Sequence, residues 1–339
     1  MADRSTPQLE TSADADTTRV RALVSMVRFG RFLDASGSVS YGIQQPDGSF
    51  NYAEGCPFAS TLKDTGKKAV LTRCLPPVQP VEVICIGLNY RKHADELKLP
   101  YPKNPVVFLK PVTTVTGHGA EVVKPRVTQK MDYEVELAVV IGRACKDVTP
   151  EGALDYVLGY TCANDISTRD WQKVPELAGS QWCRSKMFDG FAPLGPVVTT
   201  RDELPDPGKL RVRTWLNGEQ GRPVEGARAS DLIFSVQQCI SFLSIGTTLQ
   251  PGTVILTGTP AGVGARDAAR SPGCSLATVW PWRWRASAGW RTPSWRTLRQ
   301  RPASTSRPSC DPPRAPGAPS AHRGAPPRVR AAFPRGGGG

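Results

Sequence analysis

Residues Met131-Asp-Tyr-Glu-Val-Glu-Leu-Ala-Val-Val-Ile-Gly142 decide how the chain is read. Val135, Leu137, Val139 and Ile141 alternate with Glu134 and Glu136 before the run turns wholly apolar, the pattern of a strand entering a buried position. Alternate residues of a strand face one side, so Glu134 and Glu136 project together from its mouth. Two carboxylates on one face repel unless something positive lies between them. A hard divalent cation that takes oxygen ligands, Mg²⁺ or Mn²⁺, meets that need. A solvated edge strand with two surface glutamates fits the same letters. A third acid, Asp165, follows the short apolar run Tyr160-Thr-Cys-Ala-Asn164. It could complete a three-carboxylate site with Glu134 and Glu136, or serve as a helix N-cap.

Outward from this stretch the chain is rich in short strand patterns. They are expected at Val81 to Ile86, Val106 to Leu109, Leu210 to Leu216 and Thr253 to Thr257. One helix is expected over Ala229 to Leu243, where Leu232, Ile233, Val236, Ile240 and Leu243 recur at helical spacing. Few strands are joined by a helix of crossover length, which disfavours a doubly wound parallel sheet. Neither G-x-G-x-x-G nor G-x-x-x-x-G-K-[ST] occurs. Four regions follow. Residues 1–24 are expected to be disordered, and Met26 is a candidate true start. Residues 25–78 read as a small N-terminal β unit: Val27-Arg-Phe, Ser40-Tyr-Gly-Ile, a Pro46-Asp-Gly turn and Phe50-Asn-Tyr. The prolines of Leu75 to Pro80 suggest a linker. Residues 79–266 form the main, catalytic domain, and 267–339 an aberrant Arg/Pro/Trp-rich tail expected to be disordered.

The formal charge of +13 invites a nucleic-acid partner until it is located. After residue 266 there are 13 Arg and only two acids, so that tail carries 13 − 2 = +11 and the rest only 13 − 11 = +2. The tail also holds five of the eight Trp and 12 of the 32 Pro, with no helical or strand period. Pro/Arg/Ala/Gly-rich segments are ordinarily disordered, but tryptophan is foreign to them. A shifted reading frame accounts for both. With AGG for Arg and CCG for Pro, Trp280-Pro-Trp-Arg-Trp-Arg285 read two bases later gives Ala-Val-Glu-Val-Glu, and the residues after it continue Gly-Ile-Gly-Arg-Leu-Glu-Asn. On this expectation the break lies near Gly264 to Ser271, terminal strands are missing, and their neighbour is left with an open edge. Nine cysteines without a C-x-x-C disfavour a zinc ribbon or a secreted disulfide scaffold. No apolar stretch approaches a membrane span, and no targeting segment is evident. The expectations are therefore a cytoplasmic or mitochondrial place, no membrane and no nucleic acid.

Five segments in order carry a resemblance: Ile86-Gly-Leu-Asn-Tyr90 followed by His93; the Glu134/Glu136 strand; Asn164-Asp-Ile-Ser-Thr-Arg-Asp170; Lys186-Met-Phe-Asp-Gly-Phe-Ala-Pro-Leu-Gly-Pro196; and Ile255-Leu-Thr-Gly-Thr-Pro-Ala-Gly-Val-Gly264. Over roughly residues 80 to 266 the chain resembles the fumarylacetoacetate hydrolase family. The resemblance implies a β-rich α+β fold, a mixed β-roll of strongly curved sheets, and a homodimer. It implies that the His93 segment is a lid ordered by substrate, that Lys186 is the active-site lysine, and that Gln172 lies near a substrate carbonyl.

His93 and Glu96 lie three apart and share a face if the segment is helical. A carboxylate beside a histidine orients the ring and raises its basicity, which suits general-base work; a surface helix pair is the plain alternative. Lys186 would balance negative charge on substrate or enolate, or form a surface salt bridge. Thr257, Gly258 and Thr259 would offer hydroxyl and backbone donors to a substrate carboxylate, or form a plain turn. Arg169 and Asp170 are a candidate ion pair. Such a metal site implies a 2-oxo carboxylate substrate and an enolate. The resemblance favours tautomerisation of oxaloacetate over C–C hydrolysis of an acylpyruvate-like diketo acid and over decarboxylation, between which the residues alone do not choose. An inactive truncated product, and nucleic-acid binding through the Arg/Trp tail, stand as other classes.

Overall fold

Val135–Ile141 is a strand with both faces buried. Val135, Leu137, Val139 and Ile141 join one core cluster with Ile84, Ile86, Ile240 and Ile255, while Ala138 and Val140 join another with Val83, Cys85, Val254 and Leu256. Fully burying one such aliphatic side chain contributes about 1.5–3 kcal/mol. The computed structural model describes residues 27–174, 176, 181–216, 223–264 and 274–280.

Their strands are β1 (Arg28–Asp34), β2 (Val39–Gln44), β3 (Phe50–Glu54), β4 (Lys63–Lys68), β5 (Leu71–Leu75), β6 (Glu82–Gly87), β7 (Val106–Lys110), β8 (Val115–Gly117), β9 (Met131–Asp132), β10 (Val135–Ile141), β11 (Val157–Asn164), β12 (Ser167–Thr168), β13 (Ala192–Leu194), β14 (Val198–Thr200), β15 (Arg211–Leu216), β16 (Pro223–Arg228), β17 (Thr253–Leu256) and β18 (Cys274–Trp280). The helices are α1 (Arg91–Leu97), α2 (Arg169–Lys173), α3 (Cys183–Lys186) and α4 (Val236–Ser244). The main sheet runs β4-β3-β2-β1-β14-β11-β10-β17-β6-β7, with β5, β8 and β13 attached beside this path. β17 and β6 are parallel, whereas β10 is antiparallel to both β11 and β17. The fold is therefore β-rich with few helices, as the alternating runs imply.

Three expectations change. The N-terminal β unit of residues 25–78 continues into the main sheet, where β1 pairs with β14. Its supposed linker is packed: Val78 is fully buried among Phe29, Val83 and Val254. The helix expected from Ala229 begins only at Val236. Ala229–Asp231 is a short 3₁₀ turn, the Phe234 amide is taken by Asn89 Oδ1 at 2.8 Å, and Ser235 closes a capping box with Gln238. The third concerns the tail. Cys274–Trp280 forms β18 and pairs antiparallel with β15, so that edge of β15 is covered. The segment contains no proline and carries Leu276, Thr278 and Val279 between Pro272-Gly273 and Pro281, which suits a short strand. The remainder of the tail, the expected frame break and residues 1–24 lie outside the described residues. Among the described residues no helix is long and apolar enough to cross a membrane.

Candidate active site

The acids meet because of strand register. Val135 pairs with Asn164 and Glu136 with Ala163, which sets Glu134 at the mouth of β10 opposite Asp165 just past the end of β11. The Asp165 amide donates to the Glu134 carbonyl at 2.8 Å, and the Glu134 amide donates to Asn164 Oδ1 at 3.0 Å. One oxygen from each of Glu134, Glu136 and Asp165 lies within 4.8 Å of the others, and all three residues are buried. Asp165 is no helix cap, since α2 starts four residues later behind Thr168.

Three buried cations surround them. Lys186, at the end of α3, donates to Glu134 Oε2 at 2.7 Å, Asp165 Oδ2 at 2.5 Å and Ser167 Oγ at 2.7 Å. Lys110, on β7, donates to Asp165 Oδ1 at 2.7 Å and to the Lys186 carbonyl at 2.5 Å. Arg169 pairs with Asp132 and Glu134, each at 2.7 Å, and with Gln172 Oε1 at 2.9 Å. Burial alone would raise the Glu134 carboxyl, but Lys186 and Arg169 outweigh it and hold the group well below the usual carboxylate range. Burial, then the charges of Asp165 and Glu134, push Glu136 well above that range. Burial disfavours the Lys186 ammonium, yet Asp165 and Glu134 keep it charged.

This donor set fits a hard cation. It is all oxygen and buried, and burial together with the charges of Asp165 and Glu134 disfavours the Glu136 carboxylate, a repulsion between acids that a divalent ion would relieve. Each carboxylate oxygen already taken by an N–H keeps a second lone pair.

Across from the acids, α1 carries His93 and Glu96. His93 Nδ1 is 3.5 Å from Glu96 Oε2 and the ring is buried. Burial lowers the His93 pKa. Glu134 and Glu96 oppose that shift and Arg169 reinforces it, and the net direction is downward, which favours the neutral imidazole. A glycine-rich strap after β17 ties the two sides. The Gly258 amide donates to Glu136 Oε2 at 2.6 Å, the Gly262 amide to Glu96 Oε2 at 3.1 Å, and the Gly264 amide to Asp132 Oδ1 at 2.9 Å. Gly258 has φ +101°, and a Cβ there would meet Asn89 Cβ at 2.8 Å, so no other residue fits.

A model of the fumarylacetoacetate (FAA) hydrolase C-terminal domain matches residues 82–281. The chain belongs to the fumarylacetoacetate hydrolase family. It is 44% identical over 235 residues to an uncharacterized protein of Archaeoglobus fulgidus, covering 69% of this chain and 86% of that one. It is 41% identical over 197 residues to the human protein named oxaloacetate tautomerase FAHD2A, mitochondrial, covering 58% of this chain and 61% of that one. The crystal structure of 2-hydroxyhepta-2,4-diene-1,7-dioate isomerase from Mycobacterium marinum superposes with a TM-score of 0.64 at 35% identity, covering 75% of this chain and 94% of that one. The fold is therefore that of fumarylacetoacetate hydrolase family enzymes.

Against this family frame the expected residues divide. Glu134, Glu136, Asp165 and Lys186 meet in one buried cluster, and His93 pairs with Glu96. Gln172 is on the same side, but its carbonyl holds Arg169. Thr257 turns its hydroxyl into the sheet, donating to the Leu137 carbonyl at 2.9 Å, and the Gly258 amide serves Glu136. Those two donors are spent inside the protein rather than offered to a substrate carboxylate. Thr259 is buried beside Pro260 and Val263 against a small cavity. Arg169 and Asp170 do not pair, because Asp170 turns outward to accept from Thr128 Oγ1 and the Gln129 amide.

Lys110, Asp132 and Asn89 were missed as site residues. Lys110 is in phase with buried Phe108 along β7, and Asp132 is in phase with Glu134 and Glu136, so a period of two was the available signal. Asn89 donates to the Thr257 and Phe234 carbonyls at 2.8 and 3.1 Å, joining the strap to the approach of α4. Nothing in its spacing marks that role.

Proposed function

We propose that the chain is a divalent-metal-dependent enzyme that acts on a 2-oxo carboxylate and interconverts the keto and enol forms of oxaloacetate. The carrying observation is a buried His93 with Nδ1 3.5 Å from Glu96 Oε2, in a domain that also gathers three buried acids within 4.8 Å of one another. The name of the human relative supports oxaloacetate within the class.

Glu134, Glu136 and Asp165 would hold Mg²⁺ or Mn²⁺, which when bound supplies positive charge against the 2-oxo group and the developing enolate. Lys110 fixes Asp165 through a charge-assisted hydrogen bond and Arg169 fixes Glu134 through an ion pair, so the ligand oxygens are held as charge develops. Lys186 adds an ammonium that stays charged in a dry site. His93 takes and returns the proton at C3 of the substrate, and Glu96 orients its ring. The burial of both side chains suits shuttling a proton better than delivering bulk water to a distant carbonyl, as C–C hydrolysis requires. A homodimer and a cytoplasmic or mitochondrial place complete the proposal; the printed name of the human relative supports the mitochondrial alternative.

The test is to follow the ultraviolet absorbance of enol oxaloacetate as it relaxes to the keto form, with product analysis by mass spectrometry. Relaxation faster than buffer, lost on chelation and regained with Mn²⁺, without pyruvate, is expected. Accumulating pyruvate would assign decarboxylation instead, and an unaccelerated decay would remove the proposal.

A further inference from the structure

The strap from Thr257 to Gly264 is held at Gly262 from both sides. Its amide donates to Glu96 Oε2 at 3.1 Å, and its carbonyl accepts the Tyr133 hydroxyl at 3.0 Å. Gly262 sits at φ +105°, where a side chain is strained, so the turn delivering that amide belongs to glycine. Tyr133 springs from between Asp132 and Glu134, the acids that pair with Arg169. A single phenol thus links the segment carrying the acids to the residue that holds Glu96.

The strap is largely buried, with Thr257, Thr259 and Val263 all below a tenth exposed. Beneath it lies a cavity of about 10 Å³, lined in part by Tyr133, Val135, Val212, Thr214 and Val263. That is room for roughly one water and no more. Thr214 Oγ1 is buried beside it without a hydrogen-bond partner.

We propose that Tyr133 is a positioning residue for the His93–Glu96 pair, acting through Gly262. It rests on the reading above that this pair moves a proton. The phenol holds the strap, the strap holds Glu96, and Glu96 aims the imidazole. The phenol is bonded to a backbone carbonyl of the strap, so its loss is expected to act on turnover and not on binding.

The experiment compares Tyr133→Phe, Glu96→Gln, His93→Ala and the Tyr133→Phe/Glu96→Gln double variant, with kcat, KM, Mn²⁺ affinity by calorimetry and thermal melting for each. Tyr133→Phe should lower kcat roughly 10- to 100-fold, the scale of a small misplacement, with KM and Mn²⁺ affinity unchanged. Added to Glu96→Gln it should cost nothing further, because both act on one linkage. Gly262→Ala, which disturbs the same turn without touching the phenol, should give the same split. Wild-type kcat in Tyr133→Phe, or full additivity with Glu96→Gln, would overturn the proposal while an impaired His93→Ala leaves the proton-transfer reading standing. A silent His93→Ala would overturn both.

Discussion

The acid–ammonium half of the site and the His93–Glu96 half differ in how firmly the fold holds them. Glu134 and Asp165 each meet two buried cations at 2.5–2.7 Å, and those cations come from β7, α2 and α3. His93 and Glu96 sit on a seven-residue helix with no side-chain N-cap, 3.5 Å apart, restrained from outside by a strap amide. A preorganised charged half stabilises developing charge without reorganising, whereas a proton carrier must shift between partners. Perturbing the first half should therefore damage fold and cation binding together; perturbing the second should damage turnover alone.

The largest effect is expected from Lys186→Met. It strands Glu134 and Asp165 with less compensation, and breaking a buried pair from one side costs about 3–5 kcal/mol. Urea denaturation in chelator should show that loss, and Mn²⁺ should restore more stability to the variant than to wild type. Equal stability of the two chains would erase the contrast. Next, His93→Ala should lower turnover about 10²–10⁴-fold with Mn²⁺ affinity unchanged. The base works deprotonated and its folded pKa lies below the ordinary 6.5, so kcat/KM should stay level down to that pH and fall below it. Glu96→Gln removes an upward push on His93, and the fall should then begin at still lower pH. A limb above 6.5 would place the base elsewhere. The smallest effect is expected from Thr257→Val, about 1 kcal/mol of stability for one buried hydrogen bond, with KM unmoved. A raised KM would return Thr257 to the substrate.

Much of this was legible in the sequence, and the limits have physical causes. Val81 to Ile86, Val106 to Leu109, Val135 to Ile141 and Thr253 to Thr257 all sit in or beside strands, because apolar runs of that length have few other fates. Glu134 and Glu136 were placed on one face by strand period alone. The partner of each donor was not legible. Thr257 and Gly258 read as substrate donors, yet β17 brings them to the Leu137 carbonyl and the Glu136 carboxylate. Lys110 lies 55 residues from Asp165, and the sheet order β11-β10-β17-β6-β7 brings them together. Ala229 to Leu243 kept helical spacing, but Asn89, 145 residues away, takes the Phe234 amide before the helix begins. Local period predicts elements; partners across the sheet decide roles.

The most direct measurement is calorimetric titration of Mn²⁺ into the chelator-treated protein, in wild type, Asp165→Asn and His93→Ala. One site is predicted in wild type, with the same affinity in His93→Ala and no detectable binding in Asp165→Asn. Unaltered binding in Asp165→Asn, or none in wild type, would contradict a cation held by Glu134, Glu136 and Asp165.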